Sequence, residues 1–352
     1  MNTETDTRPR SKNNGRRGYL ILGGIVLVFA VGWSIFWFVA AGRVEAELEK
    51  TLANLARQGT RIECAEKAVK GYPFRLEVLC NSMEAETPGQ DLVRSQAVRA
   101  VALVYNPTHL IIEADGPATA QSALYGFNAN ADWQLAQAST QIGLAGIEET
   151  SIAVDDANVD LDGLPQSQKI QVGRFEAHAR KRASSDGAGV DLAVSARKLS
   201  LSGGVNTEYD ADFDLIVWIP EGEQILAGKG DQVLLKYLRD GGEIGLTQAR
   251  IASLGAEIMV SGSLIADREG RLSGDLVLRI VEPTKFGALI EAYLPNQAGM
   301  TPTLQAAVGT LGKKVERENI IGYELPLKLK RGKLQVGFIP LGKIPPLPPF
   351  RQ

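Results

Sequence analysis

The sequence predicts a mainly β protein with a few helices: an N-terminal transmembrane helix, then a long, curved antiparallel sheet or two packed sheets, with a C-terminal αα-hairpin. Three observations support this fold class. Residues 19–41 carry no charged side chain, residues beyond Thr60 alternate between apolar and polar, and two late segments repeat apolar residues at helical spacing. A chain of 352 residues that is 44% apolar can bury a sizeable core without a structural metal.

The predicted organisation follows the chain in five segments. They are a basic cytoplasmic tail (1–18), a transmembrane helix (19–41), a juxtamembrane amphipathic helix (42–59), a periplasmic β-rich domain (60–339) and a Pro-rich C-terminal tail (340–352). A break near 220–242 would divide the β-rich domain into two sub-domains.

The uncharged stretch from Tyr19 to Ala41 would measure about 34 Å as a helix, enough to cross a hydrocarbon core of roughly 30 Å. Five basic and two acidic residues give residues 1–18 a charge of +3, so with -3 overall the remainder carries -6. This asymmetry places the N-terminus in the cytoplasm. A signal peptide cleaved after Val39-Ala40-Ala41 is the alternative, although its apolar core would exceed the usual length of about 7–15 residues.

The helix is expected to continue beyond the membrane, because Gly42 to Gln58 repeat apolar residues at i, i+4, i+8 and i+11 and Gly59 is a typical stop. The apolar stripe consists of Val44, Leu48, Leu52 and Leu55. We expect it to dock on the folded domain. A dimerising coiled coil is the alternative, although the stripe is shorter than three heptads.

The two cysteines, Cys64 and Cys80, flank a segment that reads as a hairpin with its turn at Gly71-Tyr72-Pro73. With the turn centred on Tyr72, position 64 falls opposite position 80. In an oxidising compartment the pair is expected to form a cross-strand disulfide that points into the core. Two unrelated buried thiols are the alternative.

Period-two alternation predicts about twelve to fifteen strands, joined as antiparallel meanders. So many strands exceed one flat sheet, which must curl or split. Helical spacing predicts short helices over 231–239, 283–294 and from Thr301 onward, the last two forming the αα-hairpin. The Pro-rich tail is expected to be extended, either as a strap along the domain edge or as a partner-docking segment.

Catalytic and metal-binding patterns are weak in this sequence. A net charge of -3 and a pI near 5.7 argue against a nucleic-acid partner, and two His and two Cys are few for a zinc or iron–sulfur site. His109 and His178 lie in separate strand-like segments. Asn158, Asp160 and Asp162 match part of a calcium loop, but Lys169 stands where its bidentate Glu belongs. We therefore expect neither a cofactor nor a metal, and no enzymatic activity.

A resemblance follows from the N-terminal anchor, the amphipathic helix and the Cys-flanked Gly71-Tyr72-Pro73-Phe74-Arg75 turn. The closing Gly332-Lys333-Leu334 and Pro340-Leu341-Gly342 belong to the same pattern. In these features the chain resembles an uncharacterised envelope family of Gram-negative bacteria, a domain of unknown function. The strand rhythm from Ser261 to Leu278 is more loosely similar to AsmA-like proteins. That similarity implies a membrane-anchored, periplasmic, β-rich protein that maintains the envelope and handles lipid through an apolar groove. With the charge asymmetry, we expect a single-pass inner-membrane protein with a cytoplasmic N-terminus and a periplasmic bulk.

A curved sheet with strict alternation presents one apolar face, and a few helices cover only part of it. We therefore predict that lipid or another apolar envelope molecule binds this face. The predicted binding residues are Phe213, Leu215, Val217, Ile258, Val260, Leu264, Leu276 and Leu278. A closed, dry core is the alternative for the same residues. A non-enzymatic envelope scaffold that engages other envelope proteins is the alternative function.

Overall fold

A computed structural model describes residues 14–123, 126–144, 146–163, 167–184, 187–203, 209–223, 226, 230–293, 299, 301–317, 320–337 and 339–347. The helices are α1 (Asn14–Arg57), α2 (Gly230–Arg239), α3 (Phe286–Tyr293) and α4 (Thr301–Leu311). The first strands are β1 (Arg61–Ala65), β2 (Ala68–Lys70), β3 (Arg75–Cys80), β4 (Ser82–Glu86), β5 (Asp91–Ser95), β6 (Val98–Leu103), β7 (Asn106–Ala114), β8 (Ala118–Ser122), β9 (Phe127–Asp132) and β10 (Leu135–Gly143). The remaining strands are β11 (Gly146–Asp162), β12 (Gln168–Ser184), β13 (Gly187–Ser202), β14 (Ala211–Pro220), β15 (Glu243–Ser253), β16 (Ala256–Ala266), β17 (Leu272–Val281), β18 (Lys313–Arg317), β19 (Ile320–Lys330), β20 (Lys333–Val336) and β21 (Ile339–Lys343).

These 21 strands form one antiparallel sheet, which confirms the predicted fold class. From β11 to β17 each strand pairs with the next in the chain, and β17 then pairs with β19. The strands outnumber the twelve to fifteen predicted. Most of the excess arises because the first ten strands are five long strands, each interrupted once, which leaves sixteen long strands.

The interruptions lie side by side and form a line that we call the crease. It passes through Glu66, Asn81, Ala97, Asp115, Gln134, Asp156, Gly173, Lys198 and Asp212, which the register places next to one another across nine long strands. Three of these residues, Glu66, Asp156 and Lys198, have a positive φ near 50°. Extra residues of this kind bend a sheet locally, so the crease divides its first half into two limbs.

One limb contains β2, β3, β6, β7 and β10, and we call it the near limb. The other contains β1, β4, β5, β8 and β9, and we call it the far limb. The crease also shifts the alternation of side chains. Apolar residues occupy Leu76, Val78 and Cys80 before Asn81, but Met83 and Ala85 after it. Because a one-residue slip turns every side chain to the other face, this shift keeps the apolar residues of both limbs on the same side of the sheet.

Helix α1 runs without interruption through the predicted membrane segment and beyond it. Among the described residues, the segment Gly18–Arg57 is the one helix long and apolar enough to cross a membrane, with a mean hydropathy of 2.3 over its most apolar 18 residues. Its length is compatible with a single-pass anchor and also with a signal sequence. The stripe of Val44, Leu48, Leu52 and Leu55 is half-buried, and α1 packs against β1 and β2.

The predicted register of the first hairpin is wrong by three residues. Cys64 lies opposite Met83, and Ala68 lies opposite Leu79, because the turn is centred between Pro73 and Phe74 instead of on Tyr72. Cys64 and Cys80 are nevertheless joined by a disulfide, with their Cα atoms 5.5 Å apart. In a flat ladder three residues of offset would separate them by roughly 10 Å along the strand. The crease between them brings the two cysteines together.

The second half of the sheet carries the main hydrophobic core. Buried residues of β15, β17, β19 and β20 pack with Phe286 of α3 and Val308 of α4. Both helices of the predicted αα-hairpin are therefore present, whereas the residues 294–298 and 300 between them lie outside the described residues, and the hairpin itself stays a prediction. The sheet continues through the predicted break, because β14 pairs directly with β15.

The C-terminal segment begins as a strand, because β21 occupies residues 339–343 of the predicted tail. Beyond it, the Leu347 amide donates a hydrogen bond of 2.8 Å to the Gly270 carbonyl, and the Ile344 amide donates one of 2.7 Å to the Gly332 carbonyl. These bonds hold residues 344–347 against two turns of the sheet. Residues 348–352 lie outside the described residues.

Candidate functional site

Register places apolar side chains in rows that cross almost the whole sheet. The longest row contains Val69, Val78, Ala100, Ile112, Ala138, Ile152, Ala177, Val194, Leu215, Ala249, Val260, Leu278 and Leu325. It spans thirteen long strands, which is about 58 Å at roughly 4.8 Å per strand. A second row contains Cys80, Val98, Ala114, Ala136, Val154, Phe175, Ala196, Phe213, Ile251, Ile258, Ile280 and Tyr323. We call this side of the sheet the apolar face.

The eight predicted binding residues all lie on or beside these rows. Leu215, Val260 and Leu278 belong to the first row, and Phe213 and Ile258 belong to the second. Val217 and Leu276 occupy a third row, in which Val217 pairs with Leu246 and Gly262 pairs with Leu276. Leu264 follows Gly262 by two residues and so shares its face. The eight residues therefore lie on one face of the sheet, but they differ in how far their side chains are buried.

Leu276 and Leu278 are core residues, only 7% and 9% exposed. Leu215, Val217, Ile258, Val260 and Leu264 are partly buried and pack against that core. Phe213 is also half-buried. Among these eight residues burial thus decreases from β17 towards β14, and α3 and α4 pack against β16 and β19.

The apolar face is most open over the strands that precede β13. Ile112 is 37% exposed and Ile152 is 44% exposed, although both belong to the longest row. Among the described hydrophobic residues of β1 to β12, only Cys80 and Ala157 are buried. This part of the sheet has the alternation of a core-forming sheet and lacks a cover among the described residues.

The two limbs of the open region are tied together on the apolar side of the sheet. Cys64 and Cys80 both point to the apolar face, one from each limb, because Cys64 pairs with Met83 in an apolar row of the far limb. Their disulfide therefore draws the limbs together on that side. The far limb contributes small residues, since its neighbouring positions Ala85, Val93, Ala120 and Ala129 form one row. We call the open apolar face over β1 to β12 the trough.

The opposite face of the sheet is polar and carries paired charges. The Arg250 guanidinium contacts Asp214 at 3.0 Å and Glu257 at 2.8 Å, and Arg99 contacts Glu113 at 2.5 Å. The hydrogen bond that Arg174 donates holds the pKa of Glu176 below its ordinary value. These pairs are partly exposed, so each contributes little to stability. They identify the face that meets water.

The other candidate residues lie on strands. His109 is 2.8 Å from the Ser139 hydroxyl and His178 is 2.9 Å from the Ser151 hydroxyl, both as cross-strand neighbours on the polar face. Asn158, Asp160 and Asp162 lie along β11, where Lys169 contacts Asp160 at 3.4 Å, so these residues do not form a calcium loop. Among the described residues, no three His, Cys, Asp or Glu side chains come together as a metal site.

The sequence did not predict the residues of the trough. The residues overlooked were Ile112, Ile152, Phe175 and the alanines between them. Their alternation was visible in β7 and β11, but alternation alone does not say whether a face is covered. The crease had no signal either, because Asp156 and Lys198 occupy positive-φ positions where Gly or Asn is usual.

Residues 37–345 match the sequence model of a known family, which is described as an uncharacterized protein conserved in bacteria, DUF2125. The chain belongs to this family. Membership confirms the predicted uncharacterised bacterial family, while the likeness to AsmA-like proteins stays a prediction. No curated protein and no solved structure matches the chain.

Proposed function

We propose that this protein is a membrane-anchored envelope protein whose periplasmic sheet binds lipid, or helps to transport it, along the trough. The observation that supports the proposal is a continuous apolar face that lacks a cover over β1 to β12 among the described residues, where Ile112 and Ile152 are 37% and 44% exposed. An exposed apolar surface of this extent is unfavourable in water and is typical of a binding surface. Acyl chains match a long, narrow apolar surface better than a compact ligand does.

Membrane anchoring by α1 is part of the proposal. The family match begins at residue 37, before the alternative cleavage site at 39–41. Trp37 and Ala41 are 4% and 8% exposed, so cleavage there would remove side chains that are packed in the folded protein. The basic residues before α1 favour a cytoplasmic N-terminus and a periplasmic bulk at the inner membrane.

The proposed activity is binding without catalysis, cofactor or nucleic acid. The net charge of -3 disfavours a nucleic-acid partner. The likeness of the strand rhythm to AsmA-like proteins points to the same lipid-handling class. Envelope proteins that deliver or receive the lipid are the expected partners.

Adjacent residues on opposite faces of β11 provide the test. Ile152→Lys places a charge in the trough, whereas Ser151→Lys places the same charge on the polar face. The full-length protein is extracted in mild detergent, and bound phosphatidylethanolamine and phosphatidylglycerol are measured by native mass spectrometry. We expect wild type and Ser151→Lys to retain lipid and Ile152→Lys to lose most of it. Leu276→Glu is unsuitable, since Leu276 is in the core.

Two results would contradict the proposal. Wild-type protein that is free of lipid would remove its basis, and capture of envelope proteins by that lipid-free form would favour the scaffold alternative. Equal lipid content in the two lysine variants would show that lipid binds elsewhere. Circular dichroism of each variant controls for folding.

A further inference from the structure

Apolar side chains are exposed at the turns of one end of the sheet. Phe74 in the β2–β3 turn is 63% exposed, Tyr105 in the β6–β7 turn is 71% exposed, and Leu144 after β10 is fully exposed. The turns are neighbours, because the Val104 amide donates a hydrogen bond of 3.0 Å to the Phe74 carbonyl and β7 pairs with β10. We call this the aromatic end.

The turn residues that the structure describes at the opposite end are of other types. The β4–β5 turn consists of Thr87, Pro88, Gly89 and Gln90, and the described part of the β8–β9 turn contains Ala123 and Gly126. They carry no large apolar side chain in the part that the structure describes. Of the described turn residues between β1 and β11, the large exposed apolar ones therefore lie at the aromatic end, whereas Leu124 and Tyr125 of the β8–β9 turn lie outside the described residues.

Helix α1 holds the aromatic end at a defined height. The Trp33 indole N–H donates to the Pro73 carbonyl at 2.8 Å, and the Trp37 indole N–H donates to the Arg75 carbonyl at 2.9 Å. The Tyr72 and Ser34 hydroxyls are 2.8 Å apart. Trp33 lies ten residues before Arg43, the first charged residue after the apolar stretch, which is about 15 Å along a helix. The turn is therefore level with the apolar part of α1.

Backbone at this depth in a bilayer must have its polar groups satisfied by the protein. The two indole donors provide this for the Pro73 and Arg75 carbonyls, and Ser34 provides it for the Tyr72 hydroxyl. The Arg75 side chain is 58% exposed and approaches Glu77 at 3.5 Å, in the direction away from the turn along β3. A long cationic side chain of this kind can reach the headgroup layer.

An apolar cavity lies between α1 and the aromatic end. Its volume is about 390 Å³, and it is lined by Phe29, Ala30, Trp33, Tyr72, Pro73, Phe74 and Tyr105. Leu76, the next apolar-face residue along β3, begins the third row beside this cavity. The cavity and the trough are thus adjacent along β3.

We propose that the aromatic end is inserted into the phospholipid leaflet from which α1 emerges, so that an acyl chain of that leaflet fills the cavity. The inference rests on the proposed membrane anchoring by α1. Insertion places the start of the trough at the leaflet, and a lipid can pass from the bilayer to the apolar face without crossing water. The exposed Phe74, Tyr105 and Leu144 side chains then contact acyl chains or the interface.

The test uses single spin labels on full-length protein in nanodiscs of phosphatidylethanolamine and phosphatidylglycerol. Since Cys64 and Cys80 are bonded, one introduced cysteine is the only free thiol. The labelled variants are Tyr105→Cys and Leu144→Cys, with Ala123→Cys at the opposite end as matched control and Val28→Cys to report on α1. Electron paramagnetic resonance then compares collision with oxygen, which concentrates in lipid, and with a polar nickel chelate.

We expect labels at 28, 105 and 144 to favour oxygen and the label at 123 to favour the chelate. A label at either 105 or 144 that favours the chelate, while position 28 favours oxygen, overturns the insertion and leaves the anchor intact. A label at 28 that favours the chelate instead overturns the anchor, and with it this inference. Tyr105 and Leu144 are exposed, so their replacement leaves the fold unchanged, as circular dichroism verifies.

Discussion

Two tryptophans determine where the first hairpin meets α1. Trp37 is only 4% exposed, and its ring lies edge-on to Tyr72 with centroids 5.5 Å apart, while its N–H serves the Arg75 carbonyl. Each indole thus contributes apolar contact and one directional bond. A neutral hydrogen bond of this kind contributes about 1 kcal/mol net, but an unsatisfied carbonyl costs more where water is absent.

Replacement of Trp33 by Phe is therefore expected to loosen the turn while it keeps most of the ring contact. Hydrogen exchange at residues 71–75 should accelerate in Trp33→Phe, corresponding to a loss of about 1–2 kcal/mol in local stability. Trp133→Phe is the matched control, because it removes an equivalent bond of 2.8 Å to the Ala114 carbonyl beside the crease. Unchanged exchange at 71–75 in Trp33→Phe would show that the indole bond is unimportant.

At the scale of the elements, the crease is the feature that makes a trough out of a sheet. It combines one interruption in each of five long strands with positive-φ residues in β11 and β13. The disulfide crosses it at the first hairpin and, by closing a loop of 15 intervening residues, contributes about 3 kcal/mol in the chain-entropy model. Crease and disulfide together fix the angle between the limbs.

Two positions in β11 distinguish the crease from ordinary strand. Asp156 has a φ of 50°, where Gly is favoured and a β-branched residue is strained, whereas Asp160 is an exposed residue of regular strand. Asp156→Val should lower the free energy of unfolding by about 1–3 kcal/mol, and Asp156→Gly should not lower it. At Asp160 we expect the opposite order of stability. Asp160→Val should leave the free energy of unfolding unchanged, and Asp160→Gly should lower it by about 0.5–1 kcal/mol.

Chemical denaturation of the four variants measures this difference. If the Val and Gly variants rank in the same order of stability at both positions, Asp156 carries no backbone constraint.

The sequence allowed most elements to be predicted, because alternation and helical spacing are local. The turn after Gly71 and helices α3 and α4 are examples. Register was harder to predict, because the hairpin shift of three residues depends on a turn centred between Pro73 and Phe74 instead of on Tyr72. The crease depends on Asp and Lys in left-handed conformations, which tertiary structure imposes. Whether Leu215 or Leu276 is covered depends on where α3 and α4 pack, and periodicity contains no information about that.

On the scale of the whole molecule, burial is distributed unequally. The completely buried side chains Val190, Ile219, Ile280, Leu325 and Val336 all lie in or beyond β13, whereas β1 to β12 are half-buried throughout most of their apolar positions. One half of the sheet is a closed core and the other half is a surface.

Hydrogen exchange should show this division. We expect lipid-free protein to exchange faster over β6 to β12 than over β14 to β19, since opening costs less where fewer apolar side chains are buried. Phospholipid should slow exchange in β7 and β11, which carry Ile112 and Ile152, and leave β17 unchanged. Uniform protection without lipid, or lipid protection confined to β17, would contradict this distribution.

The meander also sets how such a molecule can change in length. Each hairpin adds two strands to the sheet, and both strands place apolar residues on the apolar face. In the first half of the sheet each long strand also contains its own interruption. Insertion or loss of one whole hairpin would alter the trough by about 10 Å while preserving the side-chain phase on every other strand. A single inserted strand would reverse the chain direction and disrupt the ladder. Relatives whose sheets differ in length are thus expected to differ by pairs of strands, in steps of roughly two inter-strand spacings.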